Sequence, residues 1–444
     1  MTVVDMVPVA AAAVGALVFA AHLLPWGRRP ATTTAVSLES ELAEAPEVLR
    51  PAIVSFASTA HAQLMFALLK LGSPETGFPR VEWWDYSRHG LTVDVLMRGG
   101  QTLSDWSKDD TRSRIADHVG VQQVTVSSPA PGWVRLELRV HDTLAESVTT
   151  DPTTVAAGVD LEAVPVGVRE DGAPWLLRVL YSHILLAGAT GSGKGSVLWS
   201  ILAGLGPAIK AGFVDVWMAD PKGGVEFGRG ENRLFVRFAV DASTILAMLR
   251  EAVTEMDERL VRMRAAGVRK LVPSPDEPLI VIIIDEAASL SSYADRDEQN
   301  EFWRLTGMLQ SKGRAAGVSV IAALQDPSKE TMPNRQLFPV RVGLRLDEPT
   351  QTAMVHGQGA RDRGALCDKI PETTPGVGYV GEDGTTEFVR VRAFWISDEQ
   401  ADAIVDMYSP ATDFAPKADY SDFDPDDLGD DDIPGDGYTG PVAA

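Results

Sequence analysis
The chain has 444 residues, 45% of them hydrophobic and 23% charged, with a net charge of -22. This is an ordinary globular composition with room for two or three domains, and its one cysteine, Cys367, excludes an internal disulfide framework and any cysteine-based metal site. The acidic balance counts against binding of polyanions, but ten aspartates between Asp413 and Asp436, against Lys417, confine about -9 of it to one terminal tail.

From Met6 to Leu24 aliphatic and alanine residues are interrupted only by Pro8, Gly15 and His22, and Pro25, Trp26, Gly27, Arg28 and Arg29 follow. A helix over residues 6–24 just spans a hydrocarbon core of ~30 Å. No positive charge precedes the run, unlike a secretory signal, and the arginines after it place residues 1–5 outside and the rest in the cytoplasm. The expectation is a single-pass anchor over residues 1–29 in the cell membrane; a buried or interfacial helix is the alternative. Residues 30–46, rich in Thr, Ser and Glu, read as a tether. Residues 47–150 read as a small α/β domain for ring assembly or partner contact. It has helical periodicity over Val48 to Leu71, a strand at Leu91 to Met97, a helix from Ser104 to Val119, and a hairpin of Gln122 to Val126 and Trp133 to Val140.

Chemistry enters at residue 183. Residues 183–196 run from an apolar strand into Gly188, Ala189, Thr190, Gly191, Ser192, Gly193, Lys194, Gly195 and Ser196. Glycines let consecutive N–H groups and a helix N-terminus face one anion, and Lys194 adds a compact charge for the β- and γ-phosphates. The expected ligand is a nucleoside triphosphate, ATP, with Mg²⁺. The hydroxyl usual directly after the lysine is replaced by Gly195; either Ser196 reaches the metal after a small shift, or water fills that coordination site.

About ninety residues on, Leu279 to Ile284 form an aliphatic run suited to a strand buried on both faces, ending in Asp285 and Glu286. Ligands collect at the carboxyl ends of such strands. Asp285 is expected to place Mg²⁺ and Glu286 to orient and deprotonate the attacking water. Gln325 ends another apolar strand, Val318 to Leu324, where an amide can sense the γ-phosphate. Arg314, in a short loop after the helix Glu301 to Ser311, is a candidate to reach a neighbouring subunit's nucleotide, with Arg341 and Arg345 as weaker ones.

At this point the chain resembles the FtsK/SpoIIIE DNA translocases. The segments that carry the likeness are Val164 to Gly172 leading through His183 to the phosphate loop, Asp220-Pro221-Lys222 with downstream Glu226, Glu255 with Arg259, and Gly313-Arg314 through Gln325 to Pro327. The likeness covers roughly residues 155–400 and implies a RecA-like P-loop NTPase fold with a parallel sheet over a motor domain at 151–408. It also implies ATP hydrolysis coupled to DNA translocation through a homo-hexameric ring, with double-stranded DNA as the cargo. Arg229, Arg233, Arg361, Arg363 and Lys369 sit in polar loops that could line the lumen. Residues 409–444 are expected to be an acidic disordered tail, with no winged-helix module to read DNA sequence. Within the family, size, a lone anchor and the phosphate-loop variant look most like the transfer proteins of actinobacterial conjugative plasmids and integrative elements. Unidentified loading or transfer proteins would then choose the DNA. A type VII-like protein-export ATPase, a chromosome-segregation pump and a non-catalytic scaffold are the other readings.

Overall fold
The structure is a computed structural model, and it describes residues 38–410 apart from 88–89, 150–159, 292–293, 330, 383–384 and 386–387. The expected anchor over residues 6–24 and most of the acidic tail lie outside the described residues. Two compact units are present among the described residues, one of residues 38–106 and 110–141 and one of 107–109 and 142–410.

In the first unit a four-stranded antiparallel sheet runs in the order β1 (Arg80–Ser87), β2 (Gly90–Leu96), β4 (Trp133–Arg139), β3 (Gln123–Ser127). Helices α1 (Leu38–Glu44), α2 (Arg50–Ala57) and α3 (Thr59–Leu68) precede it, and α4 (Leu103–Ser107) and α5 (Asp109–Val119) lie between β2 and β3. Three local readings change. Residues 38–44, expected within the tether, are helical, because Leu42 and Ala45 find an apolar cluster to cover. The Ser104 to Val119 helix is broken, because the Thr111 hydroxyl takes the Asp105 carbonyl at 3.1 Å, a group a continuous helix would use for its own ladder. The helical stretch 48–71 bends by 92° where Ser58 leaves helical geometry and caps the next helix. Among the described residues no single helix is long and apolar enough to cross a membrane.

The second unit holds the large sheet. Six strands are parallel, in the order β10 (Arg237–Ala239), β9 (Val214–Ala219), β11 (Leu279–Ile284), β12 (Val318–Leu324), β8 (Ile184–Ala187), β13 (Val340–Leu344). An antiparallel wing of β14 (Val377–Glu382), β15 (Val389–Trp395), β6 (Val164–Arg169) and β7 (Pro174–Leu177) continues from β13, and the short β5 (Val148–Thr149) pairs with β15. Residues of β11 alternate between two apolar clusters: Leu279, Val281 and Ile283 on one face, Ile280, Ile282 and Ile284 on the other. An uninterrupted aliphatic strand is therefore stable only with helices on both faces. Helices α6 (Lys194–Lys210) and α11 (Asp398–Tyr408) contribute to the first cluster; α7 (Ala242–Ala266) and α9 (Arg296–Lys312) contribute to the second. Short helices α8 (Ala288–Ser291) and α10 (Pro349–His356) complete the unit.

Two buried polar residues pin the amino edge of this sheet. Arg259, 3% exposed, donates to the carbonyls of Pro278, Ala316 and Gly317 and pairs with Glu255, so these two residues of the family-like pattern hold strands together away from the phosphate loop. His183 accepts from the Val320 N–H at Nδ1 (3.1 Å), so Nε2 carries the proton and donates to the Gln310 carbonyl (3.0 Å). Burial pushes the His183 pKa down to about 4. In the window between this value and the unfolded value near 6.5 the unfolded chain binds the extra proton, so stability falls as pH falls through it. Urea unfolding from pH 6.5 to 4 is expected to show a shallower loss in His183→Gln than in the native chain, by up to about 1.4 kcal/mol per pH unit; parallel curves would refute the assignment.

Candidate active site
The parallel strands end in register, and this alignment builds the site. Leu324 pairs with Ala187 and Ile284 with Ala219, so the residues that follow β8, β9, β11 and β12 emerge side by side. The Gly188 N–H bonds the Leu324 carbonyl (3.1 Å), the Ala287 N–H the Ala323 carbonyl (2.9 Å), and the Asp285 N–H the Ala219 carbonyl (3.0 Å). Because β12 lies between β8 and β11, Gln325 stands between the loop and the carboxylates.

The loop curls through Gly191 and Gly193, at φ +72° and +95°, before α6 begins at Lys194. A side chain at 193 would meet the backbone nitrogen of Gly376, whose N–H bonds the Ser192 carbonyl at 2.8 Å. The Lys194 ammonium is buried beneath the loop and donates to the carbonyls of Gly188 (2.7 Å) and Ala189 (3.3 Å). Burial lowers its pKa, while Glu286, Asp285 and Glu226 act the other way. Ser192 Oγ is buried with no hydrogen-bond partner. A buried donor without a partner in a nest of loop amides fits an anionic ligand.

Asp285 is 1% exposed and accepts from Lys222 Nζ at 2.7 Å. Glu286 accepts from the Gln325 N–H at Oε1 (3.3 Å), while its Oε2 is buried and unpartnered. Burial raises the Glu286 pKa against the opposing pull of Lys194 and Lys222. That is the environment of a carboxylate suited to accept a proton. Gln325 Oε1 also accepts from Thr190 Oγ1 at 3.1 Å, which ties this side chain to the loop.

The structure thus brings together the loop residues 188–194 with Asp285, Glu286 and Gln325. Arg314 is not among them. It precedes β12 and donates through Nε to the carbonyl of Tyr181, which precedes β8, so it sits at the amino edge, opposite the site of its own chain. Arg345 is committed to its own loop: Nη2 donates to the Thr190 carbonyl (2.7 Å), and its carbonyl accepts from the Ala189 N–H (2.8 Å). Arg341 donates to the carbonyls of Phe338 and Val355. Ser196 lies one residue, hence about 100°, further around α6 than Gly195.

Lys222 and Glu226 are the site residues whose part the motif reading left unassigned. Asp220, fully buried, accepts the N–H groups of Lys222, Glu226 and Phe227 and shapes the turn that presents them. Their signal was available: they follow the end of β9, at the same sheet edge as the phosphate loop.

Residues 144–277 match the FtsK/SpoIIIE family model. The transfer protein TraSA of Streptomyces ambofaciens is 29% identical over 345 residues, covering 72% of this chain and 80% of that protein. The DNA translocase FtsK of Staphylococcus epidermidis is 24% identical over 321 residues; the match covers 66% of this chain but spans only 38% of that longer protein. Among solved structures, the monomer form of the pCW3 conjugation coupling protein TcpA with ATPγS shares the fold at a TM-score of 0.51 and 20% identity, over 78% of this chain and 97% of that one. The sheet that aligns Lys194, Asp285, Glu286 and Gln325 is therefore the core of a P-loop ATPase, whose residues 144–277 match the FtsK/SpoIIIE family model.

Proposed function
We propose that this protein is an ATP-driven motor that moves double-stranded DNA through a homo-hexameric ring, tethered to the cell membrane by residues 6–24, during transfer of DNA between cells. The observation that carries the reading is the convergence of Lys194, Asp285, Glu286 and Gln325 at one sheet edge in a chain similar to transfer and translocase proteins. Lys194 and the loop amides hold the phosphates. Glu286 takes the proton of the attacking water, and Gln325, bonded to both Glu286 and Thr190, senses whether the γ-phosphate is present. Mg²⁺, held by Asp285 with the phosphates, would neutralise charge on the transferring group. Arg314, at the far edge of its own sheet, acts on a neighbouring subunit's nucleotide in this scheme.

DNA contact needs only local positive charge, not a basic chain. The loop arginines expected to supply it are partly spoken for. Arg229 pairs with Asp398 and Asp402, Arg233 with Asp406, and Arg361 with Asp368. The polyanion must compete with these carboxylates, which favours a weak, sequence-independent grip and leaves the choice of DNA to a loading partner.

The test is ATP turnover of the purified full chain with no nucleic acid, with single-stranded DNA and with duplex DNA. Duplex DNA is expected to raise turnover, and the gain should fall as salt is raised. An identical rate in all three conditions would overturn the DNA-pump reading while leaving the ATPase intact.

A further inference from the structure
The usual phosphate loop places a hydroxyl directly after its lysine, and that oxygen ligates Mg²⁺. Here that position is Gly195, and a Cβ at 195 would overlap Oε1 of Glu226, so a side chain there requires that carboxylate to swing aside. The carboxylate thus occupies the space in which the missing side chain would have stood.

Several contacts hold it there. The Glu226 N–H is fixed by Asp220 Oδ2 at 3.2 Å. The next residue, Phe227, is fully buried and stacks on Trp199 of α6, with ring centroids 5.2 Å apart and planes at 21°. Trp199 lies one helical turn beyond Gly195 on the same helix. The turn after β9 is therefore clamped to the helix that opens at Lys194, and Glu226 is delivered to the first turn of that helix.

The surroundings fit a cation. Neither carboxylate oxygen of Glu226 has a hydrogen-bond partner among the described residues, and the nearby charges are Asp285, Lys222, Asp220 and Lys194. Asp285 is already paired with Lys222. Glu286 Oε2 is a second carboxylate oxygen in the same site, buried without a partner in a residue 5% exposed. No group of three or more His, Cys, Asp or Glu side chains capable of holding a metal occurs among the described residues. Mg²⁺ in a nucleotide site does not need one, because it uses one or two carboxylates with phosphate oxygens and retained waters.

We propose that Glu226 supplies the Mg²⁺-ligating oxygen that the hydroxyl after the loop lysine supplies elsewhere, and that glycine stands at 195 because the two oxygens cannot occupy one place. The inference rests on the nucleotide reading of the loop. It makes the side chains at 195 and 226 a coupled pair, in which a small residue at one requires the carboxylate at the other, and the protein groups that would hold the metal are then Glu226, after β9, and Asp285, after β11, and not a hydroxyl of the loop helix. Ser196 then has no part in holding the metal.

The experiment uses the purified full chain and two readouts that need no turnover: the affinity for ATPγS in Mg²⁺ against EDTA, and the affinity for Mn²⁺ in the presence of ATPγS, read by electron paramagnetic resonance. Wild type is expected to bind ATPγS more tightly with Mg²⁺ than in EDTA. Glu226→Gln, which keeps the shape, should bind as wild type does in EDTA but lose most of the metal-dependent gain, with Mn²⁺ affinity down on the order of 10–100-fold. Glu226→Ala should behave likewise, and the Gly195→Ser/Glu226→Ala double variant should recover the metal dependence. Retention of wild-type Mn²⁺ affinity in Glu226→Gln, or a double variant as weak as Glu226→Ala, would overturn the proposal, and so would loss of the metal-dependent gain in Ser196→Ala. Wild type that binds ATPγS equally with and without metal would overturn it while sparing the cradle. Failure to bind ATPγS under both conditions would remove the nucleotide reading itself.

Discussion
Glu286→Gln is expected to reduce ATP turnover by roughly 10²–10⁴-fold, the range supplied by a positioned general base, while leaving ATPγS affinity close to that of wild type. The substitution keeps the acceptor for the Gln325 N–H and removes only the charge and the basicity of the second oxygen, which is buried and unpartnered. Burial holds the native carboxyl above its ordinary range, with Lys194 and Lys222 acting against it. The acidic limb of the turnover profile should therefore lie above the usual carboxylate range and vanish in the variant. Steady-state turnover beside equilibrium binding checks both parts. A variant that still hydrolyses ATP within a few fold of wild type, with the acidic limb in place, would remove Glu286 from the role of base.

The second large effect is expected from Gly193→Ala. At φ +95° an L-residue costs on the order of 1–3 kcal/mol of backbone strain. The added methyl would also press on the Gly376 nitrogen, whose N–H bonds the Ser192 carbonyl. Relief requires the loop to open or the 371–377 segment to withdraw, and either one displaces the amides that face the phosphates. The expected outcome is a loss of ATPγS binding of about 100-fold or more together with lower stability in urea, of roughly 2–4 kcal/mol. Gly191→Ala, at φ +72° with no atom within 4 Å of the added methyl, shares the strain without the clash and should be milder in both measurements. Equal effects at the two positions would mean that the Gly376 contact is not what locks the loop.

Much of the motor was legible before any coordinates. A strand buried on both faces has to be aliphatic throughout, and a phosphate loop has to spend glycines at fixed offsets, so β8, β11, β12 and the loop announce themselves locally. β11 and β12 each run directly into polar side chains, and the end of a parallel strand is a predictable place; hence Asp285, Glu286 and Gln325 could be assigned to one edge. The first unit was less legible. Its edge strand β1 mixes Trp83, Trp84 and Tyr86 with charges and carries a register shift, so its alternation is blurred. The break between α4 and α5 turns on one hydroxyl competing for one carbonyl.

Residue types and their spacing along the chain were thus enough to determine a nucleotide cradle, a pair of acids and the strands that carry them, because these depend on hydrogen bonding and burial within a few consecutive residues. Which partner each arginine takes was decided only by the tertiary structure. Arg345 is drawn onto its own loop, Arg314 is turned to the opposite edge, and Arg229 and Arg233 are paired with α11 carboxylates some 170 residues away in the chain. The pairing of Gly195 with Glu226 is of the same kind. An absent side chain has no sequence signal of its own, and its meaning appears only when a turn from another strand, clamped by Phe227 on Trp199, fills the space it leaves. Long charged side chains reach several ångströms and choose partners by geometry, so their roles follow from packing and not from the order of residues.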